Sequence, residues 1–114
     1  MRLTPLAAVL IAATYACSSS TGNANATCSG SGAIANVNAR DSQTFAPGAT
    51  TIAVGQSVCW QNNGSIAHTV TDDGGAFNSN LSPGQVVVHV YGTKGTFPYH
   101  CQIHAGMTGT VTVQ

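Results

Sequence analysis

Charged residues are scarce in this 114-residue chain, which has three Lys or Arg, three Asp or Glu and a formal net charge of zero. Nucleic acid and anionic membrane surfaces are bound by dense positive fields, which so few cations cannot produce. Neither is therefore expected as a partner. The chain also lacks a sustained helical period, and its apolar stretch at residues 3–13 falls short of the ~20 residues that span a bilayer.

Turn-forming and β-branched residues are plentiful instead. Thirteen glycines and four prolines stand among frequent Thr, Ser, Asn and Val, a mixture that favours short strands joined by tight turns. The length suits one compact domain. The sequence therefore predicts an all-β sandwich or barrel, with strands at residues 33–39, 50–54, 57–62, 68–71, 85–91, 95–101 and 109–113.

The N-terminus has the pattern of an export signal. Met1 and Arg2 form a charged start before the apolar stretch, and Thr14-Tyr15-Ala16-Cys17 resembles a bacterial lipobox, with Thr14 where Leu is usual. Lipidation of Cys17 and plain cleavage after Ala16 or Ala26 both stay open. We expect a signal peptide at 1–17, a flexible linker at 18–27 and the folded domain at 28–114, in the periplasm or anchored to a membrane outside the cytoplasm.

Four cysteines occur, at positions 17, 28, 59 and 101. If Cys17 is lipidated or removed, three remain in an oxidising compartment, and an odd count requires an explanation. A metal-bound thiolate at Cys101 provides one and leaves Cys28 and Cys59 to pair. Strand alternation also directs Cys59 away from the core that Val58 and Trp60 enter. Two free thiols are the alternative.

Metal donors are concentrated near the C-terminus. Cys101, His104 and Met107 are spaced three apart at the end of a predicted strand, so one tight turn can direct a thiolate, an imidazole and a thioether to the same point. His68 is the best candidate for a fourth donor, because it stands where a loop re-enters a strand. Two imidazoles, a thiolate and a weak thioether suit copper in both oxidation states. Structural zinc sites generally use four strong N or S donors.

This combination of residues resembles the cupredoxins, the blue-copper electron carriers of plastocyanin and amicyanin type. The resemblance implies a Greek-key β-sandwich of about seven to eight strands with one type 1 copper near one end. It further implies that His68 is buried and that His104 reaches the surface as the route for electrons. It rests on the Cys-x-x-His-x-x-Met spacing, the Val58 and Trp60 strand, residues 68–71, 77–79, 81–85 and 95–99.

Several other polar residues are not expected to bind the metal. His100 follows the opposite strand phase to Cys101 and is expected to be structural or exposed. His89 is left outside the site because its strand phase is ambiguous. Asp72 and Asp73 are expected to be solvated turn acids. Thr69 stands where many cupredoxins have Asn, and its hydroxyl is a candidate for linking the two ligand loops.

Three functions remain open from the sequence. A one-electron carrier between redox partners is the leading interpretation, and no enzyme activity is expected. A copper-storage or structural module is the first alternative. An accessory domain of a multicopper oxidase or copper nitrite reductase is the second, although such enzymes need a further copper centre and this chain has only four histidines.

The scarcity of charge also bears on recognition. Long-range steering should be weak, so we expect a monomer that docks its redox partners by apolar contact around His104, using Ala105, Gly106 and Met107. A weak dependence of electron transfer on salt follows.

Overall fold

The computed structural model describes residues 27–114, which form nine β-strands and no helix. No helix capable of crossing a membrane therefore occurs within that range. The strands form two sheets packed face to face as a β-sandwich. In chain order they are β1 (Ala35–Arg40), β2 (Thr44–Ala46), β3 (Ala49–Ile52), β4 (Ser57–Gln61), β5 (His68–Asp72), β6 (Asn78–Leu81), β7 (Val86–Val90), β8 (Gly95–His100) and β9 (Thr108–Val113).

The two sheets are mixed. One has the order β2-β1-β4-β7 and the other β3-β9-β8-β5-β6. β1 is parallel to β4 and β3 is parallel to β9, whereas the other neighbouring strands are antiparallel. Thr71 lies opposite His100, so the start of β5 extends past the end of β8. This offset brings His68 beside the loop that follows β8.

Alternation along the strands builds the core between the sheets. Val58 and Trp60 of β4 are fully buried, and the Trp60 ring meets the edge of the Tyr99 ring from the opposite sheet at 5.2 Å between centroids. The Tyr99 ring also covers Gly109 on β9, where a Cβ atom would overlap it, so this close approach requires glycine. The packing holds β8 and β9 firmly on either side of the loop that connects them.

A disulfide joins Cys28 to Cys59, with their Cα atoms 5.7 Å apart, and confirms the predicted pairing. Cys59 lies on the outer face of β4, on the opposite side from Trp60, and is fully buried. The bond ties the start of the described chain to β4 across 31 residues, a closure worth roughly 3 to 4 kcal/mol in the chain-entropy model. Cys101 is the one unpaired cysteine within residues 27–114.

The all-β prediction is confirmed, and each of the seven predicted strand regions contains a strand. The expected count of seven to eight was too low because β2 and β6 were missed. β2 is only three residues long, and β6 consists largely of Asn and Ser, which are depleted in strands. Pairing with β1 and β5 makes these two segments extended. The signal peptide, Cys17 and almost all of the linker lie outside the described residues.

Candidate metal centre

Three of the four predicted donors converge at one end of the five-stranded sheet. The Nδ1 atoms of His68 and His104 lie 3.2 Å apart. The Cys101 Sγ is 3.5 Å from Nδ1 of His104 and 4.0 Å from Nδ1 of His68. These three atoms form a compact triangle in which each imidazole presents the same ring nitrogen to the same point.

The loop between β8 and β9 is closed by its own backbone. The amide of Cys101 donates to the Met107 carbonyl at 2.9 Å, and the Met107 amide donates to the His104 carbonyl at 3.3 Å. Gly106 has a φ of 79°, a conformation that side chains disfavour. A tight turn of this kind brings Cys101 and His104 to one side, as their spacing predicts.

Met107 occupies the base of this loop. Its side chain is 1% exposed and belongs to the hydrophobic core. Burial there suits a thioether, which is apolar and a weak donor. Its assignment as an axial ligand stays a prediction. The expectation that Met107 lies near the docking surface was wrong, because the loop turns it into the core.

His68 is 1% exposed, and its Nε2 has no hydrogen-bond partner among the described residues. Burial, reinforced by the nearby charge of His104, lowers the pKa of His68. The imidazole is therefore held in its neutral form, which is the form that binds a metal. Its Nδ1 faces the other two donors, whereas His104 is partly exposed.

A circuit of hydrogen bonds joins the two ligand segments. The amide of Thr69 donates to the Cys101 Sγ at 3.3 Å, and the Gln102 amide donates to the Thr69 hydroxyl at 2.8 Å. The Thr69 hydroxyl contacts that of Thr71 at 3.0 Å, and Thr71 donates to the Asn78 Oδ1 at 2.9 Å. Asn78 Nδ2 completes the circuit by donating to the Gln102 Oε1 at 3.3 Å.

The donor and acceptor roles in this circuit follow from the groups that form it. Because the Thr71 proton goes to Asn78, the Thr71 oxygen must accept from Thr69. The single Thr69 proton is thereby directed away from the Cys101 sulfur, which receives the backbone N–H of Thr69. The hydrogen bond from the Gln102 amide to the Thr69 hydroxyl supports the proposed role of this hydroxyl in linking the two ligand loops. The effect of the hydroxyl on a bound metal stays a prediction.

The remaining histidines lie outside the donor triangle. His100 Nδ1 is 2.5 Å from the Asp73 Oδ1, and both side chains are partly exposed. His89 stacks on Phe77 with ring centroids 4.0 Å apart. Burial lowers the pKa of His89, so this ring is favoured in its neutral form.

One of the two aspartates differs from expectation. Asp72 is 6% exposed and accepts a hydrogen bond from the Ala76 amide at 3.1 Å, so it is not a solvated acid. Alternation along β5 places it on the same side as His68, whereas Asp73 reaches solvent beside His100. The prediction of a solvated turn acid is therefore correct for Asp73 and wrong for Asp72.

Sequence reasoning missed two residues that shape the approach to His68. Asn62 is fully buried, and its Nδ2 donates to the carbonyls of Ile66 and Leu81 at 2.8 and 2.9 Å. Asp41 accepts hydrogen bonds from Ser65 and Ile66. Asn62 was visible only as part of a turn signal, and Asp41 carries no local signal because its partners are 24 and 25 residues away.

The donor set fits copper on its own chemistry. Two imidazole nitrogens and a cysteine sulfur that accepts a backbone N–H match the donor set of a copper site, and the same loop carries the buried thioether of Met107. Zinc sites favour four strong donors, which this cluster does not supply. A β-sandwich with these donors at one end has the architecture of the small blue-copper proteins.

Comparison with known proteins points to the same class. No family model matches the sequence. Plastocyanin from Scenedesmus fuscus is 37% identical over 84 residues, which cover 61% of this chain and 86% of that protein. Plastocyanin from Rumex obtusifolius is 33% identical over 86 residues, with 61% and 87% covered.

Solved structures agree with these relatives. A purple cupredoxin from Nitrosopumilus maritimus aligns with a TM-score of 0.62 and 28% identity, covering 70% of this chain and 99% of that one. An oxidised amicyanin variant aligns with a TM-score of 0.68 and 25% identity, covering 78% and 90%. The chain belongs to the cupredoxin family.

Proposed function

We propose that the protein is a one-electron carrier that uses a single type 1 copper held by His68, Cys101, His104 and Met107. The observation that carries this proposal is the convergence of two imidazole nitrogens and a thiol sulfur, all within 4.8 Å of one another. Bound copper supplies reversible one-electron chemistry by alternating between Cu(I) and Cu(II). Donors already assembled by the fold keep the change in geometry between the two states small.

Each residue has a distinct part in this scheme. Cys101 would hold the copper through a strong thiolate bond, and the N–H of Thr69, which donates to its sulfur, would withdraw some of the charge. His68 is buried and fixes the inner side of the site. His104 is partly exposed between Ile103 and Ala105, so its ring offers the shortest way from the donors to a docked partner. Met107 would complete the set as a weak thioether donor.

The residues that flank His104 in the chain are uncharged and exposed. Ile103 is 56% exposed, and Gln102, Ala105 and Gly106 are exposed beside it. An uncharged, partly apolar surface suits brief docking of a redox protein, as the sequence predicts. Four donors leave no position for a substrate, so the proposal includes no enzyme activity.

Titration of the purified domain with Cu(II) tests the copper site. We expect one equivalent to bind, with an intense blue absorption band and the small hyperfine splitting of a type 1 centre in electron spin resonance. Cys101→Ser should abolish the band, because the thiolate produces it. His100→Gln is the matched control and should retain it. A colourless wild-type complex would refute the assignment.

A storage module is the competing function. It would bind copper through the same donors, so spectra alone do not distinguish it from a carrier. Electron self-exchange between the oxidised and reduced protein does, because a carrier needs low reorganisation and an accessible ligand. Rapid self-exchange is expected for wild type, and slow exchange with no turnover by a redox protein would favour storage.

The proposed location is outside the cytoplasm. The Cys28–Cys59 disulfide supports it, because such bonds persist in oxidising compartments. Residues 1–17 would serve as the export signal, 18–27 as a linker and 28–114 as the domain. The intact mass of the mature protein separates the alternatives, since acylated Cys17 and cleavage after Ala16 or Ala26 give different masses.

A further inference from the structure

The segment that leads into His68 is held by a side chain from the opposite sheet. Residues 62–67 connect β4 to β5, and Asp41 lies in the turn between β1 and β2. The amide of Gln43 donates to the Arg40 carbonyl at 2.9 Å and closes that turn. Asp41 is therefore presented from a short, hydrogen-bonded hairpin.

Three donor groups of the segment converge on the Asp41 carboxylate. The Ser65 amide lies 3.0 Å from Oδ1 and 3.1 Å from Oδ2. The Ser65 hydroxyl donates to Oδ2 at 3.0 Å, and the Ile66 amide donates to Oδ1 at 3.3 Å. Consecutive backbone amides that face one anion form a small anion-binding concavity. Here the anion is a side chain of the same protein.

Two further observations indicate that this contact is specific. A Cβ atom on Gly64 would overlap the Asp41 carboxylate, so the close approach requires glycine at that position. The Ser65 hydroxyl, followed by the amides of Ser65 and Ile66, lowers the pKa of Asp41. The carboxylate consequently stays ionised at neutral pH and attracts all three donors.

The segment before His68 and the hairpin that carries Asp41 also line a common cavity. This cavity of about 310 Å3 lies between them and is lined by Asn38, Ala39, Arg40, Asp41, Asn63 and Gly64. The Asp41 contacts bridge the segments beside this cavity. Ile66 is two residues before His68, so displacement of the segment would be transmitted directly to the imidazole.

We propose that Asp41 is a positioning residue for the copper site, because its carboxylate fixes the segment that leads into His68 against the hairpin of the other sheet. The inference rests on the proposed function for its link to copper. The clamp itself concerns only the protein and exists without metal. Its effect is to hold one imidazole where the Cys101 loop can meet it.

Amide hydrogen exchange of the metal-free protein tests the clamp directly. In Asp41→Ala, the Ser65 and Ile66 amides should exchange roughly tenfold faster or more, because charge-assisted hydrogen bonds are lost. Amides in the centre of β9 should keep their wild-type rates, which shows that the fold is intact. Asp73→Asn is the matched control for loss of one negative charge and should leave Ser65 and Ile66 unchanged.

Copper dissociation tests the positioning role. Removal of a residue that orients a metal ligand typically costs roughly tenfold or more in metal affinity. We expect Asp41→Ala to release copper faster by about that factor while it retains a blue band. Gly64→Ala should act similarly from the other side of the contact. Ser65→Ala removes one of the three donor groups and should have a smaller effect.

The outcomes separate this inference from the proposed function. Wild-type exchange rates at Ser65 and Ile66 in both Asp41→Ala and Gly64→Ala would overturn the clamp. Faster exchange with unchanged copper release would overturn the positioning role. If wild-type protein formed no blue centre, the proposed function would fail, and the exchange data on metal-free protein would still decide whether the clamp exists. If Asp41→Ala does not fold, Gly64→Ala and Ser65→Ala provide the same comparison.

Discussion

The two segments that position the proposed copper donors are held by different chemistry. Residues 62–67, which precede His68, are fastened to the other sheet by the ionised carboxylate of Asp41. Residues 101–107 are fastened within their own sheet by an uncharged circuit of hydroxyl and amide groups that begins at Thr69. The first contact depends on a charge, and the second depends on the direction of individual protons.

This difference follows from what each segment must satisfy. Two consecutive amides, of Ser65 and Ile66, point out of the first segment and are best satisfied by an anion. The second segment satisfies its own backbone through the Cys101 to Met107 contact and leaves the Gln102 amide for a neutral acceptor. The two halves of one metal site should therefore respond to different perturbations.

The largest effect on the free energy of unfolding is expected at Asn62, whose buried side chain hydrogen-bonds the backbone of the first segment. Asn62→Ala would leave the carbonyls of Ile66 and Leu81 and the amide of Gly64 without their partner. Unsatisfied buried groups cost about 1 to 3 kcal/mol each, so we expect a loss of roughly 3 kcal/mol or more in the free energy of unfolding. Urea unfolding of the metal-free protein measures it. If Asn62→Ala lowered the free energy of unfolding by less than Ser65→Ala does, the structural role given to Asn62 would be contradicted.

A smaller effect is expected at Thr69 in the second segment. Thr69→Val removes the acceptor of the Gln102 amide and should reduce the free energy of unfolding by about 1 kcal/mol. It should also shift the reduction potential of the copper form, because Gln102 adjoins Cys101. Thr69→Ser keeps the hydroxyl and should restore both values. An unchanged potential and copper affinity in Thr69→Val would remove the linking role from this hydroxyl.

The dependence on pH should distinguish the two segments. Because hydrogen bonds lower the pKa of Asp41 in the folded state, its stabilising contribution is present above its unfolded value of about 4 and is lost as pH falls through the folded value. The difference in unfolding free energy between wild type and Asp41→Asn should therefore shrink below about pH 4. The corresponding difference for Thr69→Val should not change in this way. A constant difference for Asp41→Asn down to pH 2 would show that the charge is unimportant.

The smallest effect is expected from salt on the rate of electron self-exchange. The exposed chain neighbours of His104 are uncharged and the whole chain has few charges, so the rate of electron self-exchange should change only slightly as ionic strength increases. The same measurement on Asp41→Asn shows whether this exposed carboxylate contributes to the salt dependence. Stopped-flow or magnetic resonance measurements over a range of salt concentrations provide the comparison. A steep fall in rate would indicate charged docking elsewhere on the domain.

Much of the donor arrangement could be predicted because its signals are local. The spacing of Cys101, His104 and Met107 specifies one loop, and the alternation of Val58 and Trp60 specifies a buried strand face. His68 was predicted as a donor because a loop re-enters a strand there, and the structure places it beside Cys101 and His104. The disulfide followed from the number of cysteines and the outward phase of Cys59, and the structure confirms the pairing.

What was missed depends on contacts between distant parts of the chain. Asp41 has no motif, since its partners are defined only after β1 and β5 are placed in opposite sheets. Asp72 was assigned to solvent from the turn that follows it, but the phase of β5 turns it inward. Met107 was placed at the surface by its position in a loop, whereas the fold of that loop buries it. Local spacing identifies donors, and tertiary packing decides which groups orient them.

The separation of the cysteines between the two sheets has a consequence for maturation in an oxidising compartment. Cys28 and Cys59 meet on the outer side of one sheet, while Cys101 lies 4% exposed at the end of the other, against His68 and His104. Within the folded domain Cys101 follows a strand of one sheet, whereas the disulfide is attached to a strand of the other sheet. The native fold thus determines which two of the three sulfurs form the disulfide. A chain that folds before it is oxidised keeps the Cys101 thiol available for metal.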